Sequence, residues 1–282
     1  TGSNSKLLSG ELATYLTGRY VEIKMLPFSF REFIEVFKSQ DINEAFEAYL
    51  KFGGMPFLAH LNYQDVPSRD YLVDLYSSIL LKDIVQRHKV RDAELLSRII
   101  GYAVSESGHI ISAASIQRYL KSEKRSVAFD TVMNYLQFGK ESFLFDLVKR
   151  EDLMGKHILS VDEKVYAIDH GMRRAIIGGV VGRDIERTLE MIVYHELVRR
   201  GYEVRIGRVK EKEVDFVCQR GDERKYFQVC YMMGSEETRE REFSALLSIN
   251  DQYPKVVLSL DRIDFSSVGI VHKKIPEFLL ED

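Results

Sequence analysis

The sequence predicts a mixed α/β protein in three parts, and three patterns along the chain indicate this. Residues 1–91 have mostly helical periodicity, residues 92–178 have three helical segments followed by two alternating ones, and residues 179–282 follow the order α-β-β-β-α-β. Helical segments repeat apolar side chains every three or four positions, whereas strands alternate apolar and polar residues. We therefore expect three domains with these bounds.

Composition excludes several classes of protein. The chain has 282 residues, of which 45% are hydrophobic, and its 40 basic and 43 acidic residues give a net charge of -3. No global positive field attracts nucleic acid or an anionic membrane, so such contacts would need a local patch. Without a long apolar run or a leader pattern, we expect a cytoplasmic protein with no membrane partner. Cys218 and Cys230 are expected as buried, reduced thiols.

The first part begins with a polar turn in which Asn4 or Ser5 can cap a helix, and residues 20–23 alternate as a strand. Ser29 with an acid soon after it predicts a capped helix that ends at Phe37. The remaining helices of this part are expected at residues 42–51 and 69–86, with a break at Gly53-Gly54-Met55-Pro56 between them.

The middle part predicts helices at residues 92–106, 112–120 and 126–138, then strands at 143–149 and 164–168. This is the element order of a winged helix-turn-helix, with residues 126–138 as the recognition helix. Side chains that could contact DNA phosphates or bases are Lys121, Lys124, Arg125, Asn134, Gln137 and Lys140. Acidic residues interrupt this positive charge, so a protein partner stays open beside DNA. Tyr119, Phe129 and Tyr135 are expected on the core side of their helices.

The last part predicts a helix that ends at Arg200-Gly201, three strands, a helix at 237–249 and a strand at 255–260, which is the order of a restriction-endonuclease-like core. Metal-dependent nucleases of that type place an Asp on one strand and Glu-x-Lys on the next, where alternate residues converge on a divalent cation.

In this chain Asp215 supplies the first acid, but Gln228 and Cys230 stand where the Glu and the Lys would be. We expect Glu190, Asp215 and Gln228 to form a degenerate site that has lost its chemistry, with Glu213 facing solvent or a neighbouring strand. A Mg²⁺-dependent nuclease, with Glu190 and Asp215 as ligands and Gln228 as a third polar contact, is the alternative.

A series of short motifs runs through the chain in a fixed order. They include Thr1-Gly2-Ser3-Asn4-Ser5, Thr17-Gly18-Arg19, Leu26-Pro27-Phe28, Gly53-Gly54-Met55-Pro56, Leu81-Lys82-Asp83-Ile84, Lys164-Val165-Tyr166, Asp169-x-Gly171, Leu189-Glu190, Glu213-Val214-Asp215-Phe216 and Tyr253-Pro254-Lys255. In this order and content the chain resembles the C-terminal portion of prokaryotic, archaeal-ATPase-like AAA-type ATPases that carry a winged helix and a restriction-endonuclease-like domain of the PD-(D/E)XK type.

The resemblance implies that Asn4 and Arg19 sense nucleotide, and that ATP and Mg²⁺ are cofactors of the intact parent. A helix cap and a surface arginine are the alternative roles of these two residues. The chain contains no G-x-x-x-x-G-K-[ST], so the resemblance places the phosphate-binding loop upstream and leads us to expect a fragment. The expected function is nucleotide-coupled binding of DNA or protein. A Mg²⁺-dependent nuclease and a non-catalytic winged-helix DNA-binding protein are the alternatives.

Overall fold

The computed structural model describes residues 23–155, 157–178, 182 and 184–281, with the backbone alone at 157–162. Asn4, Arg19, the helix predicted after Asn4 and nearly all of the strand predicted at 20–23 lie outside the described residues.

Helices build the first part of the described chain, as the sequence predicts. Ser29 and Glu32 form a capping box, in which the Glu32 amide donates to Ser29 Oγ at 3.1 Å and the Ser29 amide donates to Glu32 Oε2 at 2.7 Å. These two bonds satisfy amides that a helix start leaves unpaired. The elements of this part are α1 (Phe30–Phe37), α2 (Ile42–Phe52), a 3-10 helix (Pro56–Leu61) and α3 (Asp65–Ser78), which continues as a π-helix (Ile79–Gln86).

The middle part combines helices with a small antiparallel sheet. Its elements are α4 (Ala93–Ser105), β1 (Ile110–Ile111), α5 (Ala113–Ser122), α6 (Phe129–Glu141), β2 (Phe145–Asp152), β3 (His157–Ala167) and α7 (His170–Ile177). β3 lies between β1 and β2 and is antiparallel to both.

The structure differs from the predicted bounds of the middle part in two places. α6 begins at Phe129 rather than at Ser126, because Ala128 is extended and Gln117 Nε2 donates to the Val127 carbonyl at 2.8 Å. β2 and β3 also extend beyond the strands predicted at 143–149 and 164–168, and their pairing continues to Asp152 and His157. Paired strands tolerate charged residues where the side chains reach solvent or partners.

The last part contains α8 (Ile185–Arg199), β4 (Glu203–Val209), β5 (Lys212–Arg220), β6 (Glu223–Val229), α9 (Glu236–Leu247), β7 (Lys255–Ser259), β8 (Ile270–Lys274) and α10 (Ile275–Leu280). Parallel pairing of β2 with β4 joins the strands of the middle and last parts. The result is one eight-stranded sheet in the order β1-β3-β2-β4-β5-β6-β7-β8.

A bulge in β5 changes the direction of its side chains. Val214 pairs with Gly207 and Val217 pairs with Arg205, so Asp215 and Phe216 together face the single residue between them on β4. An extra residue in one strand interrupts the strict alternation of faces and often redirects a side chain near a site. The strict alternation of side chains between the two faces of the sheet therefore does not hold at Asp215.

Asp169 connects the helical part to the end of β3. Its Oδ2 accepts the Gly54 amide at 2.7 Å, and its Oδ1 accepts the Met172 amide at 2.7 Å as the cap of α7. Gly53 has φ 78°, and a Cβ at this position would lie 2.4 Å from Asp169 Oδ1. The buried carboxylate of Asp169 therefore connects the turn at Gly53-Gly54 to the Asp169-x-Gly171 motif.

Replacing Asp169 should destabilise the protein strongly. We expect Asp169→Ala to lower the free energy of unfolding by about 3 kcal/mol, because the cap is lost and two buried amides lose their acceptor. The matched control is Asp41→Ala, since Asp41 caps α2 at an exposed position and its loss should cost about 1 kcal/mol. Urea denaturation of both variants measures the difference, and equal losses would contradict the role of Asp169 as a buried connector.

Candidate functional site

A buried lysine lies at the centre of the acidic cluster on the sheet. Lys164 extends from β3, and its Nζ lies 2.6 Å from Glu190 Oε1 on α8 and 2.7 Å from Glu213 Oε1 on β5. The Lys164 side chain is only 5% exposed. Burial would lower the pKa of Lys164, but Glu190, Asp215 and Glu213 outweigh it and raise that pKa. The ammonium is therefore charged and is held by two carboxylates.

Tyr166 adds a second contact to the same carboxylate. Its hydroxyl donates to Glu190 Oε1 at 2.5 Å, and its ring stacks on Tyr194 of α8 with centroids 4.4 Å apart. Lys164 and Tyr166 are two positions apart on β3 and so share one face of the strand. The stacked rings hold α8 against β3 and thereby fix the position of Glu190.

Asp215 is held by the backbone of the neighbouring strand. Its Oδ2 accepts the Val229 amide at 2.7 Å. Burial, and after it the charge of Glu190, raise the pKa of Asp215 well above its ordinary value, and Lys164 opposes them. The prediction that Glu190 and Asp215 converge is consistent with this electrostatic coupling.

Gln228 uses both ends of its amide within the protein. Its Nε2 donates to Glu242 Oε2 at 3.1 Å, and its Oε1 accepts the Asp215 amide at 3.3 Å. Gln228 therefore bridges β5 and α9. Glu242 also pairs with Arg241 at 2.8 Å.

The two cysteines are free and buried, as predicted. Burial raises the pKa of the Cys230 thiol, so this group is not a nucleophile poised by a lowered pKa. Cys230 stands where a nuclease lysine was expected, and the ammonium that does reach the cluster comes from Lys164 instead. Glu213, which was expected to face solvent or a neighbouring strand, is partly exposed and pairs with Lys164 of β3.

The donors of this cluster do not fit a bound Mg²⁺. Glu190 Oε1 already accepts bonds from Lys164 and Tyr166, Asp215 Oδ2 is used by the Val229 amide, and the amide oxygen of Gln228 is a weaker ligand than a carboxylate. Within the described ranges, no group of three or more His, Cys, Asp and Glu side chains is placed to hold a metal ion. We therefore derive no catalytic step through a metal at this position.

A second charged feature lies between α5 and the start of α6. A groove of about 690 Å³ is lined by Ala114, Gln117, Arg118, Lys121, Lys124, Arg125, Ser126 and Val127. Arg125 pairs with Glu94 of α4 at 2.8 Å. Arg118, Lys121 and Lys124 have no salt bridge to any residue in the described part of the chain, and all three are exposed. Sequence reasoning missed Arg118, because this residue lies in α5 and not beside the loop.

The other predicted DNA-contacting residues do not line this groove. Asn134 is exposed on α6, and Gln137 Nε2 donates to Glu141 Oε1 at 2.7 Å. Lys140 is half-buried, and its charge acts on Glu163 of β3. The structure thus brings together Lys121, Lys124 and Arg125 and separates them from the other three.

The outer face of α6 is partly apolar. Phe129 is 52% exposed and Met133 is 45% exposed, and Tyr119 on α5 is also exposed. The assignment of Phe129 and Tyr119 to the core was therefore wrong, while Tyr135 packs partly buried against the core. The helical repeat of apolar side chains does not by itself show which face of the helix is buried against the core.

A look-alike of a catalytic triad occurs at β7 and β8. Ser259 Oγ lies 2.9 Å from His272 Nε2 and donates to Asp261 Oδ2 at 2.8 Å, while the Phe265 amide donates to His272 Nδ1 at 3.2 Å. His272 Nδ1 is thus an acceptor, so Nε2 carries the proton and cannot take one from Ser259. Ser259 is fully buried, and this network is structural.

None of the helices in the described ranges combines the length and the apolar character needed to span a membrane.

Comparison with known proteins gives partial matches. A domain of unknown function (DUF8612) matches residues 43–180, and an AAA domain matches residues 1–34. An uncharacterised protein of Haemophilus influenzae is 37% identical over 264 residues, which cover 92% of this chain and 64% of that protein. An uncharacterised protein of Methanocaldococcus jannaschii is 29% identical over 300 residues, covering 100% of this chain and 64% of that protein. No solved structure matches.

The chain therefore spans about 64% of the length of these curated relatives. Similarity to the AAA domain is limited to the first 34 residues. The other match carries no function in its description, and both relatives are uncharacterised.

His195 on α8 provides a pH-dependent test of how α8 packs against the end of β3. Its Nε2 lies 2.7 Å from the Ala167 carbonyl, and burial lowers the pKa of His195 to about 4. The unfolded chain binds this proton near pH 6.5, so the stabilising contribution is complete above that pH and is lost as the pH falls towards 4. We expect a loss of up to about 3 kcal/mol from this group.

The variant His195→Gln keeps a donor to Ala167 without the titration. Between pH 6.5 and 4 its free energy of unfolding should fall less than that of the unmodified protein. His60→Gln, at an exposed position, is the control and should leave the pH dependence unchanged. Parallel pH curves for all three proteins in urea denaturation would refute the assignment.

Proposed function

We propose that this chain is the DNA-binding portion of an AAA-type ATPase relative, and that the groove between α5 and α6 contacts the DNA phosphates. The observation that carries this proposal is the convergence of Arg118, Lys121 and Lys124 on one open groove, with no acid paired to any of them among the described residues. Exposed, unpaired cations are the groups that release counterions from DNA on binding.

The architecture of the middle part supports the proposal. We infer a winged helix with α6 as its recognition helix, and the order α4-β1-α5-α6-β2-β3, with β3 between the other two strands, supports this inference. Lys121 and Lys124 precede α6, where helix-turn-helix proteins commonly contact the backbone. Fold alone is a weak guide to function, so the weight rests on the groove and its charges.

The last part supports a role in binding rather than in cleavage. Its order α8-β4-β5-β6-α9-β7 is the one expected of a restriction-endonuclease-like core. Its acids are engaged by Lys164 and by backbone amides, and this argues against the Mg²⁺-dependent nuclease alternative. We infer a nuclease-like domain that serves as a scaffold for the binding unit.

The match of residues 1–34 to an AAA domain supports coupling to a nucleotide. We propose that Asn4 and Arg19 contact nucleotide in a longer protein that also supplies the phosphate-binding loop. ATP and Mg²⁺ belong to that protein, and cytoplasmic localisation is the setting in which such a DNA-binding ATPase would act.

A protein partner is the second candidate, because α6 exposes Phe129 and Met133 where a DNA-reading helix normally carries polar groups. Aromatic residues and Met are enriched in protein interfaces. A non-catalytic winged-helix DNA-binding protein is the third candidate. Selective binding of one duplex sequence in roughly 200 mM salt would favour it.

Removing two groove lysines should weaken DNA binding in a salt-dependent way. We expect Lys121→Ala/Lys124→Ala to lower affinity for duplex DNA and to reduce the slope of log K against log[salt] by about 1.8, because each phosphate contact contributes about 0.9. Fluorescence anisotropy of a labelled duplex at several salt concentrations measures both quantities.

The charge-matched control is Lys38→Ala/Lys82→Ala, which removes two exposed lysines outside the groove, one directly after α1 and one in the π-helix. It should leave the slope unchanged. If both double variants bind as the unmodified protein does, or if the chain binds no DNA at low salt, the groove is not a phosphate site. If the Phe129→Ser variant then fails to bind a protein that the unmodified chain binds, the result would favour the second candidate, which is a protein partner.

A further inference from the structure

The acidic cluster of Glu190, Glu213 and Asp215 has the composition of a cation site. Its cation is the ammonium of Lys164. Two carboxylates contact Lys164 directly, that of Glu190 at 2.6 Å and that of Glu213 at 2.7 Å. These acids come from α8 and β5, whereas the ammonium comes from β3 in the middle part. Carboxylate oxygens are also the ligands that Mg²⁺ and Ca²⁺ prefer.

The position of the ammonium decides what else can bind there. The two contacting oxygens each lie within hydrogen-bond distance of the same nitrogen, so they converge on one point. A divalent ion bound by these oxygens would need that point, and two cations cannot share it. Lys164 is attached to the backbone of β3, which is paired with a strand on each side, and it is nearly fully buried, so it cannot leave as a diffusible ion does.

We propose that Lys164 occupies the place of a divalent cation and makes the cluster a permanent, metal-independent link between β3 and the restriction-endonuclease-like part. Removing the lysine should free Glu190 and Glu213 and convert the cluster into a site for a divalent cation. The ammonium therefore both closes the site and holds the two parts of the sheet together. This role is separate from DNA binding at the α5–α6 groove.

The test compares Mn²⁺ binding by three proteins, measured by electron paramagnetic resonance of the free ion. The unmodified chain should bind no Mn²⁺ at this cluster. Lys164→Ala should bind one Mn²⁺ per chain, and Lys164→Ala/Glu190→Gln should lose this binding. Lys149→Ala, which removes an exposed lysine from β2, is the control and should bind no more than the unmodified chain.

Lys164→Ala could fold poorly, because carboxylates left without a cation repel each other. Thermal unfolding in the presence of EDTA or Mn²⁺ tests the proposal in that case. Mn²⁺ should raise the melting temperature of this variant or restore its folding, and should not change that of the unmodified chain. Failure of Lys164→Ala to bind Mn²⁺ or to be stabilised by it would overturn the proposal.

Two results on the unmodified chain would also overturn it. One is Mn²⁺ binding that disappears in Glu190→Gln, and the other is metal-dependent cleavage of DNA that disappears in the same variant. Mn²⁺ binding and thermal unfolding do not use the α5–α6 groove, so these two readouts succeed or fail independently of DNA binding.

Discussion

The burial of one ammonium among carboxylates constrains how β3, β5 and α8 fit together. A single buried charge costs several kcal/mol unless its partners are close and well oriented, so Lys164 requires Glu190 and Glu213 to stay in place. Those partners lie on α8 and β5, while the lysine lies on β3. Buried ion pairs are weak evidence for net stability, but a misplaced strand would leave these charges unpaired, and this penalty fixes the register.

A second charged contact lies where the two halves of the sheet meet. Glu151 of β2 is buried and accepts bonds from Arg205 of β4 at 3.2 Å and from Arg224 of β6 at 2.7 Å. The parallel pairing of β2 with β4 places it there. The middle part and the last part are thus joined by strand hydrogen bonds and by two sets of buried ion pairs.

Local chemistry made much of the fold predictable. The Ser29 cap, the Gly-Gly break and the order of helices and strands follow from side chains a few positions apart, which a single sequence displays. β1 was missed because a strand of two residues has no period, and β8 was missed because its buried positions hold Ile270 and His272, which do not form an apolar alternation. The start of α6 was misplaced because Gln117, from the preceding helix, holds the Val127 carbonyl.

The site was harder to predict, for a different physical reason. Glu190, Asp215 and Gln228 were predicted from their order in one domain, but their cation, Lys164, lies 26 residues before Glu190 and in another part. A charged residue directly before the apolar run Val165-Tyr166-Ala167 was the one available signal. The bulge that redirects Asp215 depends on how β4 pairs with β5, and the sequence does not display that pairing.

The two charged regions differ in the property that decides function, which is whether their charges are already satisfied. At the acidic cluster each contact is made within the protein and little of the lysine reaches water, so a ligand would have to break existing ion pairs before it gained any. In the α5–α6 groove the cations of Arg118, Lys121 and Lys124 are solvated and open, and phosphates can replace water and counterions at small cost. A polyanion therefore gains free energy at the groove and loses it at the cluster.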